Sequence, residues 1–299
     1  MATRVGLFCR VAMKAFNRGP FTFTVIDKND QKDEVVILLH GFPATAKSLL
    51  PLADQLAKAG YRVLIPELRG YTIDARPKQR SGYKLSELTD DIKKIVDTIG
   101  INRVHIIGHD WGGAVGWAFA SAYPNRVASL TAISTPHPKA FAQSLYSSRQ
   151  FFMSWYMLFF QLPFLPEWVI SHNNGAILLK VLLHSGLNNK STSAYVKRMQ
   201  DKDSATYALG WYRALPFTLM DHQQIERIMC PTLFVYGSKD KFLSKKAADL
   251  TRQWVSGYYQ EHCLSGEGHW LPEEQPHALA SLVLGFLRLA ASEPKKTTG

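Results

Sequence analysis

The sequence predicts an α/β chain: a mostly parallel sheet with helices on both faces and a helical block inserted late. Three observations carry this. Short, continuously apolar, β-branched runs alternate with amphipathic helical patterns, as strands buried on both faces require. The alternation stops between about residue 137 and residue 225, where aromatic, helix-like segments follow one another without a convincing strand. Strand–helix order then resumes at "CPTLFVYGS".

In chain order the predicted strands are "FTFTVID" (21–27), "EVVILLHG" (34–41), "YRVLIPE" (61–67), "RVHIIGHD" (103–110), "VASLTAIS" (127–134), "TLFVYGS" (232–238) and "YYQEHCLSG" (258–266). Each ends at turn chemistry. The predicted helices between and after them are 46–60, 85–100, 111–124 and 277–292. The helical block falls after the fifth strand, where it would cover the strand C-termini; open sheets bind their ligands at that edge. The expected organisation is a core of residues 1–136 and 226–299 with a helical cap of 137–225.

Composition narrows the class. Of 299 residues, 46% are hydrophobic and 20% charged, ordinary values for a globular chain with ample core. The net charge of +11 is spread along the chain and not gathered into a stripe, which speaks against nucleic acid as a partner. Three scattered cysteines, Cys9, Cys230 and Cys263, make neither a disulfide framework nor a zinc site, and fit a reducing compartment. The N-terminal stretch, broken by Arg4, Arg10 and Lys14, does not read as a secretory signal, so a cytoplasmic location is expected. The apolar segment "FFMSWYMLFFQLPFLPEWVI" (151–170) contains Pro163, Pro166, Gln161 and Glu167, too many interruptions for a membrane span. It is expected to be a buried or ligand-facing helix followed by a proline-broken loop.

The chemistry centres on "GHDWGG" (108–113), which follows the strand "VHII" and precedes a helix. This is the outline of a nucleophile elbow, G-x-S-x-G, with Asp110 where serine would stand. A dinucleotide loop is the competing reading, but the G-x-G-x-x-G spacing is absent. Asp240 follows the strand "TLFVYGS", and His269 follows the last strand. Nucleophile, acid, histidine is the order of the α/β-hydrolase triad, and a parallel sheet brings its strand ends to one edge. Glu267, two residues before His269, is the rival to Asp240. "HGFP" (40–43) follows another strand end; the N–H groups of Phe42 and Trp111 are the expected oxyanion donors, and His40 is expected to be structural within that loop. His105 and His109 lack neighbours at metal-ligand spacing, so neither metal nor cofactor is expected.

Together, "HGFP", "GHDWGG", "GSKDKF" and "GHW" resemble the epoxide hydrolases of the α/β-hydrolase fold, and "RGY" (69–71) and "TPHP" (135–138) resemble bacterial members. The resemblance implies an eight-stranded sheet with an inserted cap, and two cap tyrosines that protonate the opening epoxide. The segments "WYMLFFQLP" and "LGWYRALP" match the family's tyrosine segments and yield Tyr156 and Tyr212. The family usually has asparagine before the tryptophan of the second segment; here it is Gly210. His40, Pro43, Trp155, Phe159 and Trp270 are the candidate pocket residues.

A carboxylate nucleophile explains itself chemically. Serine would leave an ether on opening an epoxide, whereas Asp110 leaves an ester that water, activated by His269 and Asp240, can hydrolyse. Haloalkane dehalogenases share the Asp and the following Trp but take a second halide donor after "HG", where Phe42 stands. Fluoroacetate-type dehalogenases usually have Arg at the position of Trp111. An esterase lacks its Ser or Cys here, and a non-catalytic binding protein would have no use for a full set of acid, base and nucleophile. The expected partners are a small hydrophobic epoxide and water; a homodimer is compatible with the sequence.

Overall fold

The predicted apolar runs form strands β2 (Phe21–Lys28), β3 (Val35–Leu39), β4 (Arg62–Pro66), β5 (Val104–His109), β6 (Val127–Ile133), β7 (Thr232–Gly237) and β8 (Tyr259–Leu264). With a short β1 (Ala15–Arg18), they make one eight-stranded sheet in the order β1-β2-β4-β3-β5-β6-β7-β8. The structure is a computed structural model that describes residues 13–220 and 225–292. Cys9 and the N-terminal stretch lie outside those residues, as do residues 221–224 of the expected cap. The β1/β2 and β2/β4 pairs are antiparallel and all others parallel.

Strand side chains divide between two hydrophobic layers, as period-two alternation dictates. From β3, Ile37 and Leu39 join the layer under α2 (Leu85–Thr98) and α3 (Trp111–Ala122). Val36 and Leu38 join the layer under α1 (Leu50–Lys58) and the C-terminal helix Pro276–Ser292. Leu88, Ile92, Ile95 and Val96 of α2 recur at helical spacing and are fully buried, so that helix is held by one apolar face.

Two elements differ from expectation. The sequence gives no strand signal at β1, because only Phe16 of its four residues is buried; the strand exists through pairing with β2 across Gly19, whose φ is +57°. The predicted helix 46–60 begins as a 3₁₀ turn, Ala46–Leu49, before α1.

Between β6 and β7 the described residues contain eight helices: α4 (Pro138–Ser147), α5 (Gln150–Met153), α6 (Trp155–Phe159), α7 (Leu165–His184), α8 (Asn189–Met199), α9 (Lys202–Ala208), α10 (Gly210–Arg213) and α11 (Leu215–Leu219). After β7 come α12 (Lys245–Thr251), α13 (Leu271–Glu274) and α14, the C-terminal helix named above. The block is tied internally by a buried ion pair: Arg213 grips both carboxylate oxygens of Glu167, at 2.5 and 2.9 Å, and donates to the carbonyls of Phe160 and Leu162. His137 marks the joint with the core. Its ring stacks on Trp254, its Nε2 donates to the Glu226 carbonyl and its Nδ1 accepts from the Lys139 N–H. Segment 151–170, expected to be a buried or ligand-facing helix before a proline-broken loop, has one inward face and one outward: Tyr156 and Phe160 pack inward, while Phe152, Trp155 and Leu158 face out.

The parallel registers align the strand ends that matter. Leu39 is opposite Gly108, His109 opposite Ile133, Ile133 opposite Val235, and Gly237 opposite Leu264. The loops leaving β3, β5, β7 and β8 therefore emerge side by side.

Candidate active site

Asp110 sits between β5 and α3 with φ 53° and ψ −124°, a conformation that costs a side-chain-bearing residue about 1–3 kcal/mol. Its surroundings hold it there. Its N–H donates to the Ile133 carbonyl; its own carbonyl accepts from the N–H groups of Gly113 and Ala114 and from the Thr135 hydroxyl. The turn needs close backbone approach: a Cβ on Gly112 would lie 2.1 Å from the Leu39 carbonyl oxygen. Gly41 has the same reason to be glycine, since its Cβ would lie 2.4 Å from the Asp110 carboxylate.

The two carboxylate oxygens of Asp110 are in different environments. Oδ1 accepts the Phe42 N–H at 2.8 Å. Oδ2 lies 3.6 Å from His269 Nε2. The Trp111 N–H is the first of α3 and has no partner within that helix. On the far side of the imidazole, His269 Nδ1 donates to Asp240 Oδ2 at 2.8 Å, and Asp240 Oδ1 is fixed by the N–H groups of Phe242 and Leu243. Glu267 is engaged elsewhere, accepting from Gln275.

Charge at this site is tightly balanced. Burial pulls the His269 pKa down, but the Asp240 charge and the hydrogen bond and charge of Asp110 outweigh it and hold it at about 10. Burial works against the Asp110 charge too, yet His269, His109 and the Phe42 N–H bring its carboxyl below the usual range. The resting pair is carboxylate and imidazolium. His109 behaves oppositely: burial lowers it to about 4, so it is neutral. Its Nε2 and the Ser134 hydroxyl both donate to the His269 carbonyl, at 3.0 and 2.9 Å, anchoring the backbone of the histidine.

The cap closes over this cluster with aromatic rings. Tyr212 packs edge-on against Phe42 and Trp111, and Tyr156 lies against Tyr212, with ring centroids 5.4, 5.0 and 5.9 Å away. Burial raises both phenols above their ordinary pKa, Tyr156 further through the charges of Asp110 and Asp240, Tyr212 further through Tyr156 and Asp110. Both remain protonated hydrogen-bond donors at neutral pH. Gly210, the departure from the family pattern, has a physical cause: a Cβ there would lie 2.7 Å from the Tyr83 ring, so an asparagine would not fit.

The pocket candidates divide. Trp270 contacts the His269 ring at 5.1 Å, and Pro43 is buried next to Phe42. His40 does not line the pocket. It is wholly buried, its Nδ1 donates to the Gly41 carbonyl and its Nε2 accepts the Leu68 N–H, so it braces the loop. Trp155 is 62% exposed on the outer side of the cap, and Phe159 packs on it. Helical phase decides this: Tyr156 and Phe160 are four apart on one face, and Trp155 and Phe159 sit on another. Phe160, against Phe42 and Tyr212, and Phe242, against His269 and Tyr156, are site residues that the sequence reading missed. Phe160 is one helical turn from Tyr156, but in a segment apolar on every face that spacing does not single it out; Phe242 had no signal beyond following Asp240. Among the described residues no group of three or more His, Cys, Asp or Glu side chains is arranged to hold a metal ion.

Residues 34–276 match the family model of the alpha/beta hydrolase fold. Human "Epoxide hydrolase 4" is 31% identical over 95% of this chain and 80% of its own length. "AB hydrolase superfamily protein YfhM" of Bacillus subtilis is 31% identical over 91% of this chain and 96% of its own. The crystal structure of Epoxide Hydrolase A from Mycobacterium thermoresistibile superposes with a TM-score of 0.79 at 26% identity, covering 92% of this chain and 97% of that one. The chain belongs to the alpha/beta hydrolase family, as an epoxide hydrolase-type member of it.

Proposed function

We propose that the chain converts small hydrophobic epoxides to vicinal diols through a covalent ester on Asp110. The observation that carries this reading is the asymmetric carboxylate: Oδ1 is held by the Phe42 N–H, which leaves Oδ2 as the nucleophile. Oδ2 attacks an epoxide carbon, the C–O bond of the ring breaks, and the departing oxygen takes a proton from Tyr212 or Tyr156. Asp110 is then a neutral ester whose carbonyl oxygen is Oδ1.

Ester formation changes His269. The Asp110 charge, one of the two that hold its proton, is gone; the imidazolium gives up its Nε2 proton, which restores the tyrosine that protonated the opening oxygen, and the neutral imidazole becomes a base. It draws a proton from water, whose oxygen attacks the Asp110 carboxyl carbon. The resulting oxyanion is Oδ1, which already accepts the Phe42 N–H; the Trp111 N–H, unpaired within α3, is the second donor of this reading, each such donor being worth about 3–4 kcal/mol. Collapse breaks the bond to Oδ2, which leaves with the diol. The two protons of the water end on the diol, one through the restored tyrosine and one through His269, with Asp240 fixing the imidazole throughout.

Dehalogenation is the weaker reading. Halide departure asks for side-chain N–H donors, and the Trp211 indole is spent on the Arg69 carbonyl at 2.8 Å. Phe42 contributes only its backbone.

A single turnover with enzyme in excess, run in heavy-oxygen water, tests the proposal. The diol is expected to emerge unlabelled and the peptide bearing Asp110 labelled, because the diol takes Oδ2 and the carboxylate takes the water oxygen. A labelled diol with an unlabelled Asp110 peptide would mean direct attack by water and would overturn the ester mechanism.

A further inference from the structure

The helices that carry Tyr156 have a second apolar face, and it points away from the site. Phe152 is 75% exposed and Leu158 64%, and Phe151, Trp155, Leu162 and Phe164 are exposed beside them along the outer surface of the cap. Phe151, Trp155, Leu158 and Leu162 recur at spacings of four, three and four, one stripe along α5, α6 and the turn that follows. A run of large exposed aromatics of this kind marks an interaction surface.

The charge around the stripe says what it fits. From residue 140 to residue 200 the single carboxylate is Glu167, and that side chain is buried in its ion pair with Arg213. The exposed charges of the same span are all cations, and of these Arg149 adjoins Phe152; Ser148 and Gln150 on either side of it contact Ser244, which opens α12 with the exposed Lys245 and Lys246. Arg149 stands at the head of α5, and with Phe152 and Met153 it lines an open hollow of about 500 Å³. Aromatic and leucine side chains with peripheral cations are the composition of a surface that beds into the headgroup region of an anionic bilayer.

We propose that this outer face of the cap, around Phe152, Leu158 and Arg149, docks on anionic lipid membranes. The stripe enters the boundary between headgroups and acyl chains while Arg149 and the lysines meet lipid phosphates. The inward face of the same helices carries Tyr156 and Phe160 over Asp110, so docking brings the roof of the site to the phase in which hydrophobic small molecules dissolve. Membrane binding itself does not depend on which reaction the site performs.

Vesicle co-sedimentation of the full chain tests this, with phosphatidylcholine alone and with roughly a third phosphatidylglycerol added. The chain is expected to sediment with the anionic vesicles at least tenfold more tightly than with the neutral ones, and to release at high salt. Phe152→Ser/Leu158→Ser should weaken binding tenfold or more. Arg149→Glu, a surface change that leaves the apolar packing untouched, should weaken it by more than the roughly fivefold expected for loss of one cation. Turnover of a water-soluble epoxide should be unchanged in both variants. The proposal is overturned if neither vesicle carries the protein down, if Arg149→Glu binds as the parent does, or if light scattering shows a dimer that Phe152→Ser/Leu158→Ser dissociates, which would assign the face to a second copy.

Discussion

Replacing Asp110 by asparagine keeps its shape and removes its charge, the same electrostatic change as the proposed ester formation. His269 Nε2 lies 3.6 Å from Asp110 Oδ2. At an effective dielectric constant of about 20, two unit charges at that separation interact by about 4–5 kcal/mol. Each pKa unit corresponds to about 1.4 kcal/mol. The Asp110→Asn change should therefore bring the His269 pKa from about 10 down to about 7. Burial and Asp240, which also act on His269, are unchanged by the substitution. The assay is nitrogen-detected NMR of the histidine rings, titrated from about pH 5 to about pH 11, with His269→Gln to assign the signal. If His269 still titrates above about 9 in Asp110→Asn, the Asp110 charge does not hold its proton, and loss of that charge cannot turn it into the base. The same reasoning predicts that ester hydrolysis quickens as pH rises through about 7 and then levels.

Further outcomes follow from the same geometry. The raised His269 pKa gives stability that is fully present below the unfolded value of about 6.5 and is lost as pH rises through about 10, so the melting temperature should fall over that window and His269→Gln should flatten the fall. Tyr212→Phe and Tyr156→Phe should each slow ester formation by about tenfold to a thousandfold in stopped-flow single turnovers, and the double variant more than either; unchanged rates would remove the phenols from the mechanism. Gly41→Ala puts a methyl group 2.4 Å from the carboxylate of Asp110, and kcat should drop by about a hundredfold or more. Wild-type turnover in that variant would show that the loop can yield. Arg213→Met strands the buried Glu167 carboxylate and should cost about 3–5 kcal/mol in urea unfolding, most of it recovered by adding Glu167→Gln.

What the sequence determined by itself was local and periodic. Continuous apolar runs announced the buried strands, and "GHDWGG" announced a tight strand-to-helix turn, because only small residues tolerate the 2.1 Å approach found at Gly112. Strand ends in a parallel sheet share an edge, so the convergence of Asp110, Asp240 and His269 was legible from their order alone. The tertiary structure decided what depends on distant neighbours. It made β1 a strand through its partner, turned Tyr156 and Phe160 inward and Trp155 outward, and brought Phe242 against His269. It also spent both nitrogens of His40 on the backbone and filled with the Tyr83 ring the space beside Gly210. A segment apolar on every face has no periodicity from which to read its orientation, and the charge balance at His269 is a sum over groups remote in sequence. Both are settled only when the chain is packed.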